Sequence, residues 1–311
     1  MKRDYVHLDS DQTIFFEKQL AFLKARSFDI KFAALKARSL LPVSFEAGPG
    51  AESIVYEQFD QVGMARIIAN YAKDLPRADV KGKEFTSPVK SLGASYGFNV
   101  QEIRAAAMSN KPLRQRKANA ARRAVLQQEN SIAYFGDSSY GLGGFFTNAN
   151  IPNVALPADG AGSATTLASK TAQQMVRDLN SISNTVVTQS KGVHNPNTML
   201  LPLAQFTLVN STPRSDQSDL TVLRYYLQNN GFVTDAEWVN ELAAANSSGN
   251  LASDTAFCYE RSEDVLTLEV PQEYEEFPPQ EEGLEMIINA HQRIGGVLIY
   301  YPLAITKSDD V

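Results

Sequence analysis

Residues 111–152 read KPLRQRKANAARRAVLQQENSIAYFGDSSYGLGGFFTNANIP. Pro112 suits the first turn of a helix, where a missing N–H leaves no bond unmade. From there to Tyr134 there is no Gly and no further Pro, and the good helix formers Ala, Arg, Leu and Gln dominate. A helix is predicted over 112–135, with Ala118, Ala121, Val125 and Ile132 along one face. At ~1.5 Å per residue it would be a rod about 35 Å long. Gly136 is placed to end it in a left-handed cap. Gly141, Gly143 and Gly144 then allow a sharp reversal, and Phe145 and Phe146 supply apolar surface to anchor it.

The chain has 311 residues, a net charge of −6 and one cysteine, Cys258. That length allows one large domain or two or three lobes. A single cysteine excludes a disulfide framework and fits a reducing compartment. The N-terminus carries basic residues but no apolar run of the secretory kind. The longest apolar run, near Gly295 to Ile305, is too short to span a bilayer, so no membrane partner is expected. The negative balance argues against a dedicated nucleic-acid binder. The charge is uneven: residues 101–130 hold seven Lys/Arg and two Asp/Glu, whereas residues 234–285 hold one Arg and fourteen Asp/Glu. Two solvated faces would explain this; so would copies meeting basic edge to acidic edge.

N-terminal to the central stretch, Phe16, Leu20 and Leu23 recur at helical spacing, with Phe15 and Phe22 beside them. A second helical run is predicted from Phe28 to Leu41, limited by Pro42. Ser53–Asp60 and Met64–Tyr71 read as strands, 73–83 as a polar tip, and Phe85–Val89 as a half-exposed strand. Residues 52–98 thus read as an extended hairpin with a charged tip, which is marginal in water unless it lies on something.

C-terminal to it, 150–170 reads as loop, and Met175, Val176, Leu179 and Ile182 mark an amphipathic helix. Asn197–Pro202 reads as a short buried strand. Ser218 is placed to cap a helix carrying Leu220, Leu223 and Leu227, closed by Gly231. Strands are predicted at 255–260, 265–270, 284–290 and 296–301, with the acidic, Pro-rich 271–283 between them as loop.

Two regions together resemble the major capsid proteins of tailed bacteriophages, whose fold is shared with encapsulin shells and the herpesvirus capsid floor. One is the long helix followed by Gly136-Asp137, Gly141-Leu142 and Gly144-Phe145. The other is the succession Tyr259-Glu260-Arg261, Val270-Pro271, Pro278-Pro279-Gln280 and Arg293-Ile294-Gly295-Gly296-Val297. The resemblance runs in unbroken order over residues 50–311. It implies an α+β capsid fold with an N-terminal arm (1–50) and an extended loop (51–98). A peripheral domain follows (99–155 and 256–311, with spine helix 112–135), then an axial domain (156–255). It further implies hexamers and pentamers closing into an icosahedral shell around double-stranded DNA, assembled in the host cytoplasm. Portal and decoration proteins are further implied partners. With Met1 so close to the arm, a separate scaffolding protein is expected rather than a cleaved extension.

Candidate intersubunit contacts are Phe15, Phe16 and Phe22 of the arm, and Arg77, Lys81 and Lys83 of the loop. Arg122 and Arg123 on the helix, and Glu275 and Glu276 in the acidic segment, complete the set. Candidate hinges are Gly93, Gly97, Gly141, Gly143 and Gly144. Lys81, Lys83 and Lys90 lie where some capsids form isopeptide crosslinks, but no acceptor asparagine is assignable. Arg114, Arg116 and Lys117 extend the basic helix, which lacks the interleaved aromatics of a base-stacking surface; contact with DNA is therefore expected to be non-specific.

No catalytic, cofactor-binding or metal site is expected. Gly136–Gly141 lacks the G-x-S-x-G of a nucleophile elbow, and Gly160-Ala161-Gly162-Ser163 lacks the lysine of a phosphate loop. His7, His194 and His291 have no partner at metal-ligand spacing. An encapsulin-type compartment is one rival reading. The other is a soluble cytosolic α+β enzyme, which would need a convergent polar constellation that the sequence does not display.

Overall fold

The computed structural model describes residues 31–63, 77–109, 113–215, 217, 219–248 and 250–311. The chain divides into two units, Met1–Ala34 and Leu35–Val311. In the first, residues 31–34 carry no regular secondary structure, and Phe15, Phe16 and Phe22 lie outside the described residues. So do Met64–Tyr71, Pro112 and Ser218.

The long helix is there, as Leu113–Phe135, and its end explains the glycines that follow it. A helix leaves its last carbonyls without partners. Here the returning chain supplies them. Phe145 N–H donates to Ala133 O at 2.9 Å, Phe146 N–H to Tyr134 O at 2.8 Å, and the Thr147 hydroxyl to Phe135 O at 2.8 Å. Gly136 takes the left-handed cap conformation at φ +69°. For the return to lie this close, residue 144 must lack a side chain: a Cβ there would collide with the Phe135 carbonyl carbon and the Gly136 nitrogen. Phe145 and Phe146 are then driven into the core against Tyr134, Phe257 and Tyr259, with ring centroids 4.7–5.4 Å apart.

The remaining elements are named in chain order, the long helix being α3. They begin with α1 (Ala37–Leu40), β1 (Val43–Ser44), β2 (Ser53–Val62), β3 (Asp79–Pro88), β4 (Lys90–Asn99) and α2 (Val100–Ser109). After α3 come α4 (Ala172–Gln189), β5 (Thr198–Pro202), α5 (Leu203–Ser211), α6 (Val222–Asn229) and β6 (Asp235–Val239). The C-terminal part holds β7 (Thr255–Tyr259), β8 (Leu266–Glu269), β9 (Gln272–Glu276), β10 (Gln280–Glu282), β11 (Glu285–Ile294), β12 (Gly296–Ile299) and β13 (Ile305–Asp309).

One sheet, in the order β13-β7-β5-β6, is a wall between two cores. Successive strand residues point to opposite faces. Phe257 and Tyr259 of β7 and Leu200 of β5 join the aromatic core beneath the end of α3. Ala256 and Cys258 of β7, with Met199 and Leu201 of β5, join a second core with Met175, Leu179 and Ile182 of α4. A third, small cluster of Tyr96, Phe98, Ala121 and Ile288 fastens α3 to the sheet built on β4 and β11.

Several sequence expectations change. Residues 31–36 are not helical; the helical segment is Ala37–Leu40, strapped to α3 by Asn130, whose side-chain oxygen accepts the Ala37 N–H at 3.0 Å. Asp79–Lys83 is strand, not tip, because it pairs residue for residue with Gln58–Val62. The ribbon ends at Pro88, and Lys90–Asn99 pairs with β11 instead. Thr221 caps α6, its hydroxyl accepting the Arg224 N–H. The 271–283 segment is not a free loop: β9 and β10 both run antiparallel along β11, interrupted at Pro278-Pro279, which cannot donate to a ladder. Helix α5 and strands β6 and β13 have no counterpart in the sequence reading.

The loop before α4 is held by charge. Lys170 and Asp178 form a fully buried ion pair at 2.5 Å, and Arg177 grips both Asp178 and Asp159. The Arg177 hydrogen bond holds the Asp159 carboxyl below its ordinary pKa.

Two outcomes follow for stability. Gly144→Ala should lower the unfolding free energy by about 3 kcal/mol, seen as a reduced urea midpoint, because overpacking and a lost helix terminus add. Lys170→Ala should cost about 3 kcal/mol in the same titration, since it removes the buried one of the two cations that hold the buried Asp178 carboxylate and leaves only the partly exposed Arg177.

Candidate functional site

The residues left over from the three cores define the outer surfaces. The ribbon β2–β3 is the most exposed of them. Its ten cross-strand pairs run from Ser53↔Pro88 to Val62↔Asp79. Alternation gives it two faces. The inner one carries Tyr56, Phe85, Gln58 and Lys83; Tyr56 stacks on Phe85 at 5.1 Å and meets Tyr300 of the body edge-on at 4.9 Å. The outer face carries Val55, Phe59 and Val80, with Phe59 62% and Val80 59% exposed. Between them Glu57 lies directly opposite Glu84. Like charges placed opposite each other destabilise a ribbon, and neither glutamate has an ion-pair partner among the described residues.

Under the inner face lies a groove of about 860 Å³. Its floor is β12 and the turn after it, Val297 to Leu303; its far wall is the end of α4 and the following turn, from Gln189 to His194. Val193 on this wall is 73% exposed. His194 Nδ1 lies in hydrogen-bond contact with the Glu260 carboxylate at 2.9 Å, and its ring packs 5.2 Å from that of Tyr301. Lys83 and Lys191 reach the groove, whereas no carboxylate lines it.

The basic helix and the acidic strand meet within one chain. The Arg122 guanidinium lies 5.9 Å from the Tyr274 ring centre, and the Tyr274 hydroxyl donates to Glu276 at 3.1 Å. Glu276 also accepts from Tyr96 at 3.0 Å. Burial, then the bond to Glu276, push the Tyr274 phenol up to about 12. Glu275 sits opposite His291 and accepts from Gln272 at 2.8 Å. Arg123 is half-buried on the same helix. Lys117 pairs with Glu102 at 2.7 Å, and Arg38 bridges the buried Glu129 and the exposed Glu273. The basic helix thus reaches the acidic strand through Arg122 and Tyr274, and Glu273 of that strand is paired with Arg38.

Lys81 faces Asp60 across the ribbon, Lys83 lies 4.6 Å from the Phe85 ring centre, and Arg77 is exposed just before β3. Gly93 and Gly97 lie in the continuous β4–β11 ladder. A Cβ at Gly143 would come within 2.8 Å of Val297 O, so Gly143 and Gly144 serve close approach; Gly141, at φ +73°, makes an exposed turn. Local sequence carries no signal for the groove or for the His194–Glu260 pair, because its parts come from β2, β3, α4 and β12.

No group of three or more His, Cys, Asp or Glu among the described residues is arranged to hold a metal ion. None of the described helices is long and apolar enough to cross a membrane.

The family model described as "Major capsid protein" matches residues 63–311. No curated protein sequence matches the chain. Among solved structures, the capsid of Myoviridae phage XM1 superposes with a TM-score of 0.83 at 14% identity, covering 96% of this chain and 99% of that one. A chain of Mycobacterium phage Ogopogo gives 0.59 at 14% identity, covering 94% and 98%. The virus-like particle from Pyrococcus furiosus gives 0.53 at 14% identity, covering 87% and 91%. At these identities the likeness is one of fold.

Phe59→Ser with Val80→Ser should leave the stability of the unassembled subunit within about 0.5 kcal/mol, because both side chains already face water. Urea denaturation of dilute subunit checks this.

Proposed function

The chain belongs to the major capsid protein family, and from that premise we propose that it builds a phage head by repeated contact between copies. In this reading hexamers and pentamers of one sequence close into an icosahedral shell around double-stranded DNA. The observation that carries the proposal is the ribbon. A two-stranded hairpin is marginal on its own in water. This one nonetheless leaves Val55, Phe59 and Val80 uncovered on its outer face. An apolar strip of this kind, rimmed by charged residues, is the character of a surface that another chain covers.

Arg77, Lys81 and Lys83 of the ribbon, and the arm carrying Phe15, Phe16 and Phe22, are proposed to contact neighbouring copies. Arg122, Arg123, Glu275 and Glu276 act first within the subunit and present their remaining charge outward. Contacts of this kind are heterologous, so rotation decides whether they close into rings. The 0.83 superposition on a phage capsid, against 0.53 for the Pyrococcus particle, supports a phage head over a cellular compartment. A separate scaffolding protein, portal and decoration proteins, and assembly in the host cytoplasm belong to the same proposal.

Expression of the chain with its neighbouring genes, followed by size-exclusion chromatography and negative-stain electron microscopy, should give closed angular particles or free hexamers and pentamers. A monodisperse monomer or dimer under those conditions would defeat the proposal.

A further inference from the structure

We infer that the groove beneath the ribbon is filled by the outer ribbon face of a second copy, held by Lys83 and Lys191 against Glu57 and Glu84. The inference rests on the shell-building reading above and adds the partner and polarity of the contact. Three observations lead to it. The groove has an apolar floor, from Val297 to Leu303, and two lysines, and no carboxylate lines it. The outer ribbon face has the opposite character: two glutamates side by side, flanked by Val55 and Phe59, with no cation paired to either among the described residues. Two uncompensated anions on one surface match two cations on the other, and complementary fields of this kind set register and partner.

The third observation excludes the chain's own ribbon as the occupant. Tyr56, Gln58, Lys83 and Phe85 point into the groove. Val55, Glu57, Phe59 and Glu84 alternate with them along the strands, so they point away from it. The face that fits the groove is the reverse side of the strand pair that roofs it. Only another molecule can present that face. Each copy then uses the inner side of its ribbon to roof a groove and the outer side to fill the next one, a head-to-tail contact that propagates around a ring.

Among the described residues, the most exposed other apolar side chain with several acidic neighbours is Leu284 at the β10–β11 turn, beside Glu281, Glu282 and Glu285. Val55 and Phe59 offer two apolar side chains on either side of the glutamates where Leu284 offers one, so the ribbon face is the better match to a groove with an extended floor.

A disulfide test reads the contact directly. Phe59→Cys and Val193→Cys are placed in one chain; the native Cys258 is fully buried and does not compete. Mild oxidation of assembled particles should produce a ladder of covalent multimers on non-reducing gels, and oxidation of dilute subunit should not. In parallel, Glu57→Lys with Glu84→Lys should cut particle yield at least tenfold. Adding Lys83→Glu and Lys191→Glu in the same chain should restore it. All these positions are exposed, and the urea midpoint of the unassembled subunit checks that each variant folds.

Particles that form normally with the reversed glutamates and give no ladder would overturn the inference and leave the shell reading standing. A ladder obtained from Leu284→Cys or Phe16→Cys with Val193→Cys, and not from Phe59→Cys, would assign the groove to another segment and overturn it equally. Wild-type chain that forms no particles would remove both the shell reading and this contact.

Discussion

The end of the long helix is the constraint on which the rest depends. Helix carbonyls at Ala133, Tyr134 and Phe135 need donors, and the chain provides them by folding back on itself at once. That return is possible because Gly144 has no side chain, and it delivers Phe145 and Phe146 to the one place where β7 presents Phe257 and Tyr259. Helix termination, core nucleation and the joining of helix to sheet are thus a single event. Were the return displaced by a few ångströms, the carbonyls of the buried Ala133 and Tyr134 would lose their donors and the aromatic core would lose two of its rings.

The second organising device is the sheet that serves two cores. Strands buried on both faces read as uninterrupted apolar runs, and β5 and β7 do so at MLL and AFCY. The sheet couples the lobe around α4 to the lobe around α3 without a flexible linker. The buried Lys170–Asp178 pair contributes little attraction beyond its own desolvation cost, but it tolerates one arrangement of the loop before α4. The body is therefore well determined, and the ribbon rising from it is not covered by anything of its own. A rigid body with an unsatisfied extension is what a subunit requires if its final burial comes from its neighbours.

Much of this was legible in the residues. The long helix, its glycine stop, the helix around Leu179 and the strands ending in Tyr259 and Glu269 follow from period, caps and composition. The ribbon was legible as a pair of strands, though Asp79–Lys83 looked like a polar tip because lysines and a glycine dominate it. Pairing overrode that composition. The segment 271–283 misled for the same reason: its glutamates and prolines describe a solvated loop, and it is an edge strand held by β11, with prolines where the ladder is broken. Helix α5 begins directly after Pro202 in an apolar run without a polar face, so periodicity had nothing to detect.

What the sequence by itself determined is the long helix, the helix around Leu179, several of the strands and, through two motif regions in order, the family to which the chain belongs. These depend on spacing within a few residues, and a linear string contains that information. The tertiary structure alone decided which face of each strand meets which core, that Arg38, Glu129 and Glu273 share charge, and that residues 56, 85, 193 and 303 border one groove. Those relations join positions tens to hundreds of residues apart. They are settled by how helices and sheets exclude water from one another, which no local pattern encodes.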